Sequence, residues 1–352
     1  MVSEAGDRAV PSERGTAGPA GDSALAAVVS AGGAEVSRLM DRVEERMALL
    51  VGDHGSVLAR SAGDTIEAGG KRLRPLLVCL AAGVPPPEAE GLVRAAVAVE
   101  LVHAATLVHD DVLDGSALRR GRPTVVAAGG RVLATATGDL LFSRAFAELV
   151  KSQSVEAVRV LARASADLAS GELMQQEDAW SPDVSVERYL ERCRLKTGVL
   201  FRAAGMLGAL EGASGVEGAL ERASGVEEAL GVFGEQIGLA FQILDDVLDI
   251  TGPPERTGKP RGADLIDGTV TLPLIVARQR EPELSRLALR TLASATAAAL
   301  VCDQIAASGA LEVSRARALE LVSAAKSGLP SLPARQRAAL ERVADAVVER
   351  YA

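Results

Sequence analysis

The chain has 352 residues, a net charge of −9 and a composition that is 48% hydrophobic but only 2% aromatic. An acidic chain lacks the extended basic surface that general nucleic-acid binding requires. Its three cysteines, Cys79, Cys193 and Cys302, are far apart and show no CxxC spacing, so neither a disulfide framework nor a zinc site is expected. Abundant Ala, Leu, Val and Glu with few aromatic residues favour helices over strands. We therefore expect an all-α protein.

The N-terminal residues 1–33 mix Gly, Ala, Ser, Pro and scattered charges without periodicity, which predicts a disordered tail. Helical spacing begins with the apolar residues from Val36 to Met47. Because no internal linker follows, residues 34–352 are expected to form a single domain. No run of eighteen apolar residues and no signal-peptide pattern is present, so we expect no membrane insertion and a cytoplasmic location.

The segment GGKRLRP at residues 69–75 combines two glycines with three cations. The glycines allow a sharp turn, and Pro75 is placed to open the next helix. Cations and free backbone N–H groups at a helix start favour an anion. The segment therefore predicts a phosphate site, the alternative being a positively charged lead-in to the helix.

An acidic triplet ends the long helix predicted for residues 95–114. Asp110 and Asp114 are one helical turn apart, with Asp111 beside them, so the three carboxylates repel one another. A hard divalent cation such as Mg2+ suits this cluster and commonly bridges to a substrate phosphate. His103 lies seven residues before Asp110 and therefore on the same helical face.

Two adjacent arginines, Arg119 and Arg120, follow the turn after the first triplet. A guanidinium binds phosphate oxygens in a bidentate manner, which neither Lys nor a metal ion does in the same geometry. The arginines are therefore candidates for a diphosphate site. Simple salt bridges to the neighbouring aspartates are the alternative.

A second triplet, Asp245, Asp246 and Asp249, repeats the spacing of the first within another apolar helical run. Gln242 precedes it on the same helical face. Either triplet alone fits a solvated helix end. Two matched triplets in otherwise apolar helices do not, because carboxylates are rarely placed near a core without a partner.

Further cations lie in two other segments. Lys196 and Thr197 interrupt an apolar helical face, where a buried lysine either extends to solvent or meets an anion. Lys259 follows the helix that carries the second triplet. These positions add to the cations suited to binding phosphate.

Residues 209–230 contain a tandem repeat of ten residues, ALEGASGVEG followed by ALERASGVEE. The recurring Gly and Ser predict an exposed helix–loop extension that has no catalytic role and would tolerate deletion.

Together, the two aspartate motifs, GGKRLRP, the RRG at residues 119–121 and the KTG at 196–198 resemble the trans-isoprenyl diphosphate synthases of the medium- and long-chain type. The resemblance extends from about Val36 to the C-terminus. It implies an isoprenoid-synthase bundle of long helices around a central active-site cavity, working as a homodimer. It also implies Mg2+-dependent head-to-tail (1'-4) condensation of isopentenyl diphosphate with an allylic diphosphate, with three ions around the allylic diphosphate.

The same resemblance implies roles for individual residues. Isopentenyl diphosphate would be bound by Lys71, Arg74, His103 and Arg120. The allylic substrate would be bound by Arg119, Lys196 and Thr197, with Gln242 and Lys259 nearby. The metal ligands would be Asp110, Asp111, Asp114, Asp245, Asp246 and Asp249. The catalytic residues among all of these would be Asp110, Asp114, Asp245 and Lys196.

Product length in this family depends on the residues four and five positions before the first aspartate, where bulky aromatic side chains shorten the product. Here those positions hold the small residues Thr106 and Ala105, so we expect a product longer than geranylgeranyl diphosphate. The alternatives are a geranylgeranyl diphosphate synthase, a terpene cyclase or a non-catalytic subunit of a heteromeric synthase. The cyclase lacks paired motifs together with GGKRLRP, and a non-catalytic subunit would be expected to have lost aspartates or arginines.

Overall fold

The computed structural model describes residues 19–52, 56–67, 70, 72–83, 89–119, 121–213, 219–253, 260–292, 294–349 and 351. These residues are almost entirely helical, which confirms the predicted all-α class. The one sheet within these ranges is a short antiparallel hairpin of β1 (Leu118–Arg119) and β2 (Arg122–Pro123), in which Arg119 lies opposite Arg122.

The α-helices of these ranges, in chain order, are α1 (Pro19–Gly32), α2 (Ala34–Gly52), α3 (Ser56–Glu67), α4 (Leu73–Ala81), α5 (Glu90–Leu113), α6 (Val125–Val150), α7 (Val155–Asp178), α8 (Val186–Cys193), α9 (Val199–Ala213), α10 (Ala219–Thr251), α11 (Ala263–Asp267), α12 (Leu272–Arg280), α13 (Pro282–Ser285), α14 (Ala295–Ala307), α15 (Ala310–Ser327) and α16 (Ala334–Glu349). A π-helical turn, Arg194–Gly198, joins α8 to α9. A 3-10 turn, Leu289–Thr291, precedes α14.

One hydrophobic core extends from Val28 to Val347, with α5 near its centre. Helix α5 packs against α2, α4, α6 and α9, and α10 packs against α9 and α15. A helix that is apolar on nearly all sides is stable only when it is enclosed in this way. Both acidic triplets lie at the C-terminal ends of these central helices, where the negative end of the helix dipole disfavours a further negative charge. The need for a compensating cation is therefore greater than the sequence alone indicates.

The predicted disordered tail is wrong for the part of it that the structure describes. Residues 19–32 form α1, which packs against α16, and Val28 is buried in the core. This Ala-rich segment has high helix propensity, and its docking on α16 overrides the absence of a clear amphipathic pattern. Residues 1–18 lie outside the described residues.

The expected exposed extension at residues 209–230 is also wrong at both of its ends. A Cβ added to Gly212 would lie 2.3 Å from the Ala82 carbonyl oxygen, so this turn of α9 is pressed against the end of α4. At the other end, Leu230 in α10 is fully buried. Residues 214–218 lie outside the described residues, and a tolerated deletion would have to avoid the packed ends.

Two helices, α5 and α6, are long and apolar enough to cross a membrane by length and composition alone. In α5, 72% of the most apolar 18-residue stretch is buried inside the protein, as expected of a core helix. In α6 the corresponding share is only 22%, and Val132 is 84% exposed. Helix α6 is kinked at Gly130, whose positive φ of 78° is readily adopted only by glycine. Most of the apolar stretch of α6 is therefore not covered by the described residues of this chain.

Candidate active site

The first acidic cluster is completed by the hairpin that follows α5. Arg119 turns back to donate from Nε and Nη2 to Oδ1 of Asp111, at 2.9 and 2.7 Å, and Asp111 is buried. Asp114 caps α5 and is exposed, while Asp110 is partly buried. The salt-bridge alternative for Arg119 is therefore present in this structure, and the middle carboxylate is the one that it engages.

In the second cluster the middle carboxylate, Asp246, is again the buried one. The Tyr189 hydroxyl donates to its Oδ2 at 2.6 Å, and Nε2 of Gln242 donates to its Oδ1 at 2.8 Å. Burial, reinforced by the charge of Asp264, raises the pKa of Asp246 to about 8. Sequence spacing placed Gln242 beside this triplet, but Tyr189, in the distant helix α8, gave no such signal.

The outer carboxylates of the second cluster contact other parts of the chain. Asp245 accepts a hydrogen bond from the Tyr351 hydroxyl at 3.0 Å, and Asp249 accepts one from the Asp264 backbone N–H at 3.3 Å. Both aspartates remain partly accessible. The second cluster is thus bordered by Tyr351, far along the chain from the triplet.

The π turn brings the two clusters together. The Lys196 ammonium lies 3.7 Å from Oδ2 of Asp110 and 2.5 Å from Oε2 of Glu172, while the next residue, Thr197, donates from Oγ1 to Oε1 of Gln242 at 2.9 Å. Consecutive residues therefore contact the first cluster directly and the second through Gln242. Wide turns of this kind are frequent at functional sites. The anionic partners of Lys196 are carboxylates here, and Glu172 was not predicted.

A glycine allows helix α7 to reach the π turn. A Cβ added to Gly171 would lie only 2.6 Å from the backbone nitrogen of Lys196, so a larger residue would push the two segments apart. Gly171 directly precedes Glu172, whose carboxylate forms the ion pair with Lys196. Close packing at Gly171 thus brings Glu172 within reach of Lys196.

The carboxylate of Asp110 is in an unfavourable setting for a charge. Burial raises the pKa of Asp110 to about 6, opposed by Lys196 and reinforced by the charges of Glu172 and Asp114. A carboxyl held in this way gains from any additional cation that is placed beside it.

In the predicted phosphate segment, the two arginines Arg72 and Arg74 make different contacts. The Arg74 guanidinium lies over the Phe201 ring, 4.4 Å from its centroid, a cation–π contact between α4 and α9. Arg72 instead donates to Glu44 and Glu100. Burial works against its charge, but Glu100 and Glu44 outweigh burial and raise the pKa of Arg72 above its ordinary value. Helix α4 already begins at Leu73, so Pro75 lies within its first turn instead of opening it.

The positions expected to set product length lie on α5. Ala105 is fully buried and Thr106 is partly buried, so of the two only Thr106 borders accessible space. The Thr106 hydroxyl donates to the backbone carbonyl of His103, which is itself partly buried. On the facing helix α6, Phe142 stacks on His109 with ring centroids 6.1 Å apart. This aromatic pair beside Asp110 was not anticipated.

Three predicted substrate-binding residues, Lys71, Arg120 and Lys259, lie outside the described residues. Within those ranges, no three His, Cys, Asp or Glu side chains converge closely enough to hold a metal ion by themselves. Exposed and partly exposed carboxylate oxygens are nevertheless the donors that Mg2+ prefers. The clusters fit an ion that keeps part of its water shell and takes further ligands from a substrate phosphate.

Comparisons with known proteins agree with this geometry. The model of the polyprenyl synthetase family matches residues 56–307. The chain belongs to the polyprenyl synthetase family. It is 40% identical over 239 residues to heptaprenyl diphosphate synthase component 2 of Geobacillus stearothermophilus, covering 68% of this chain and 72% of that protein. It is 37% identical over 269 residues to the nonaprenyl diphosphate synthase of Mycobacterium tuberculosis, covering 76% of each.

A solved structure extends the match to nearly the whole polyprenyl synthetase chain. The polyprenyl synthase of Caulobacter crescentus, complexed with calcium and isoprenyl diphosphate, superposes with a TM-score of 0.80 at 36% identity, covering 97% of this chain and 100% of that one. The family resemblance read from the sequence motifs and the predicted helical architecture are therefore confirmed. This polyprenyl synthetase is a prenyltransferase that elongates isoprenoid diphosphates.

Proposed function

We propose that this enzyme joins isopentenyl diphosphate head to tail to an allylic diphosphate and that its product is longer than geranylgeranyl diphosphate. The observation that carries the proposal is the bridge between the two acidic clusters: Lys196 contacts Asp110, and Thr197 reaches Asp246 through Gln242. A diphosphate placed between the clusters would lie beside both sets of carboxylates. Such an arrangement suits a reaction in which a diphosphate departs.

The metal would be held by the outer aspartates. The middle ones, Asp111 and Asp246, are buried, and each accepts two hydrogen bonds from protein side chains. The outer ones are the more accessible members and are Asp110, Asp114, Asp245 and Asp249. Mg2+, expected as three ions with the allylic diphosphate, would supply positive charge to neutralise the diphosphate leaving group. The structure of the Caulobacter crescentus relative, complexed with calcium and isoprenyl diphosphate, supports the binding of a divalent cation by this fold.

The side chains of this chain would orient both substrates. In the condensation, the allylic carbon–oxygen bond breaks, a carbon–carbon bond forms to isopentenyl diphosphate, and diphosphate and one proton leave. Lys196, held between Glu172 and Asp110, presents its ammonium where charge develops on the leaving diphosphate. Arg74, fixed against Phe201, presents a guanidinium on the side assigned to isopentenyl diphosphate.

Two observations bear on product length. The small side chains of Ala105 and Thr106 and the names of the heptaprenyl and nonaprenyl relatives favour a long product. The pair of His109 and Phe142 is the feature that would favour the alternative, a geranylgeranyl product, if it closed the path of the growing chain.

The partner that we propose is a second copy of the chain. Only 22% of the most apolar stretch of α6 is buried, and its exposed positions include Val132 and the small residues Ala128, Gly129 and Ala136, which suits close packing against another helix. The relative named as component 2 supports the alternative of a different second subunit. We also propose a cytoplasmic location, which the free and buried state of the three cysteines supports.

Product analysis tests the reaction. Purified protein is incubated with Mg2+ and isopentenyl diphosphate plus geranyl, farnesyl or geranylgeranyl diphosphate, and the products are measured by mass spectrometry with an EDTA control. Products beyond geranylgeranyl diphosphate are expected. Termination at geranylgeranyl diphosphate would keep the reaction but refute the long product, and Phe142→Ala would then be expected to lengthen it. No elongation by the pure protein would favour a subunit of a heteromeric synthase.

Light scattering tests the partner. The wild-type protein is expected to have the mass of a dimer, and Val132→Glu on the exposed face of α6 is expected to shift it toward the monomer. Val155→Glu is a matched control, because Val155 is also exposed but lies at the start of α7. A monomeric wild-type protein, or dimers unaffected by Val132→Glu, would contradict the proposed interface.

A further inference from the structure

Arg72 belongs to the predicted phosphate segment, yet its guanidinium is directed to other groups of the protein. Its Nε donates to Oε1 of Glu44 at 2.7 Å, and its Nη1 donates to Oε1 of Glu100 at 2.9 Å. Its Nη2 donates to the Ile66 carbonyl at 2.8 Å and to Oε2 of Glu44 at 3.3 Å. One side chain thus ties together α2, the end of α3 and α5, and little of its donor capacity remains for a substrate phosphate.

The contact with Glu100 is the more buried of the two ion pairs. The Glu44 side chain is 48% exposed, whereas that of Glu100 is only 6% exposed. Exposed ion pairs contribute little, because water screens them and the side chains lose freedom. A buried carboxylate, in contrast, is costly without a partner. Arg72 supplies such a partner to Glu100.

The pair connects two elements that carry candidate groups for isopentenyl diphosphate. Arg72 is the N-cap of α4 and has a left-handed φ of 47°, so its side-chain contacts help to fix a strained start of the helix. Arg74 follows two residues later, and Lys71 directly precedes Arg72 in the chain. On α5, Glu100 lies three residues before His103, on a neighbouring position of the same helical surface.

We propose that Arg72 is a positioning residue for isopentenyl diphosphate: through Glu100 it fixes the segment that binds the diphosphate, without contacting the diphosphate itself. The inference rests on the proposed function, because it takes residues 69–75 as the isopentenyl diphosphate site. The proposal also predicts different effects on the binding of the two substrates. Loss of the pair would loosen the segment at α4 and leave the acidic clusters that serve the allylic substrate in place.

The test is a double-mutant cycle with Arg72→Lys and Glu100→Gln. Each single change is expected to raise KM for isopentenyl diphosphate about tenfold, the effect of losing one charged hydrogen bond. The double variant is expected to be no worse than the more affected single variant, because both remove the same contact. The KM for the allylic substrate and kcat at saturation are expected to change less than about twofold.

Two matched variants serve as controls. Arg46→Lys alters another arginine paired with a buried carboxylate, Glu148, outside the phosphate segment, and is expected to leave both KM values unchanged. Glu44→Gln removes the exposed partner of Arg72 and is expected to raise KM for isopentenyl diphosphate less than about threefold. Melting temperatures identify any variant that fails to fold. Titration calorimetry with isopentenyl diphosphate alone measures binding without turnover.

Each outcome decides the proposal. A selective and coupled loss of isopentenyl diphosphate binding supports it. A rise in KM with Arg72→Lys but not with Glu100→Gln would mean that Arg72 contacts the diphosphate directly, and would overturn it. Additive effects, an equal rise in both KM values, or a lower melting temperature with unchanged KM would also overturn it. A wild-type enzyme that neither binds nor consumes isopentenyl diphosphate would instead refute the proposed function.

Discussion

The two acidic clusters have the same sequence spacing but are stabilised by different chemistry. In the first, the middle carboxylate is paired with the charged Arg119, which comes from a surface hairpin and is 28% exposed. In the second, the middle carboxylate is held by two neutral donors, the fully buried Tyr189 and the partly buried Gln242. One cluster thus depends on charge near solvent, and the other on hydrogen bonds within the core. A repeated motif does not imply a repeated environment.

The largest effect is expected from the outer carboxylates, where the clusters should behave alike. Asp110→Asn and Asp245→Asn are each expected to lower kcat by about 10²- to 10³-fold, the usual cost of removing one group that stabilises transition-state charge. Steady-state kinetics over a range of Mg2+ concentrations measures this loss. Asp183→Asn, an exposed aspartate outside both clusters, is the control. Full activity in either cluster variant would remove that cluster from the mechanism.

The middle carboxylates should differ in stability. Tyr189→Phe leaves Oδ2 of the buried Asp246 without this donor and is expected to lower the free energy of unfolding by about 1–3 kcal/mol. Urea unfolding measures the change. Tyr351→Phe removes a similar bond from the more accessible Asp245 and is expected to cost less. Equal losses in the two variants would show that burial of the carboxylate is not the deciding factor.

The two clusters should also differ in how they make the stability of the protein depend on pH. The folded protein holds protons on Asp110 up to about pH 6 and on Asp246 up to about pH 8, above the ordinary aspartate value of 3.8. Each raised pKa adds stability at low pH that is lost as pH rises through the folded-state pKa. In the metal-free protein, the melting temperature is therefore expected to fall as the pH rises. Asp246→Asn is expected to reduce this fall up to about pH 8, and Asp110→Asn only up to about pH 6. Identical profiles would contradict the difference in burial.

The smallest effect concerns salt. Arg119→Gln is expected to destabilise the protein less at 1 M than at 0.1 M NaCl, because the screening length falls from about 10 Å to about 3 Å. The cost of Tyr189→Phe is expected to stay constant, since its hydrogen bond is neutral on the donor side and buried. Thermal melts of both variants at the two salt concentrations make the comparison. A salt-sensitive Tyr189→Phe variant would show that the second cluster is more open to solvent than described.

The contacts that sequence predicted are those set by local geometry. Gln242 lies one helical turn from Asp246, and Arg119 lies just past the turn that follows Asp111, so spacing alone placed both pairs. Tyr189 reaches Asp246 only because α8 packs near α10, and no local pattern encodes that approach.

The absence of a local sequence pattern also explains why the other contacts were not predicted. Glu172 with Lys196 and Arg72 with Glu100 join residues on different helices that meet only in the folded chain. Helix α1 was missed because its composition is typical of a tail, whereas its docking against α16 depends on a surface formed far along the chain.

The π turn at Arg194–Gly198 also shifts the phase of the helix that contains it. The Val199 N–H bonds to the Arg194 carbonyl five residues back, so the turn holds one residue more than an ordinary one and rotates the next helix, α9, by about 100°. Tyr189 before the turn and Phe201 after it therefore point in directions that a regular helix could not give them. Removing a single residue here would restore a straight helix but misalign its two halves, so this short segment should tolerate substitutions far better than deletions.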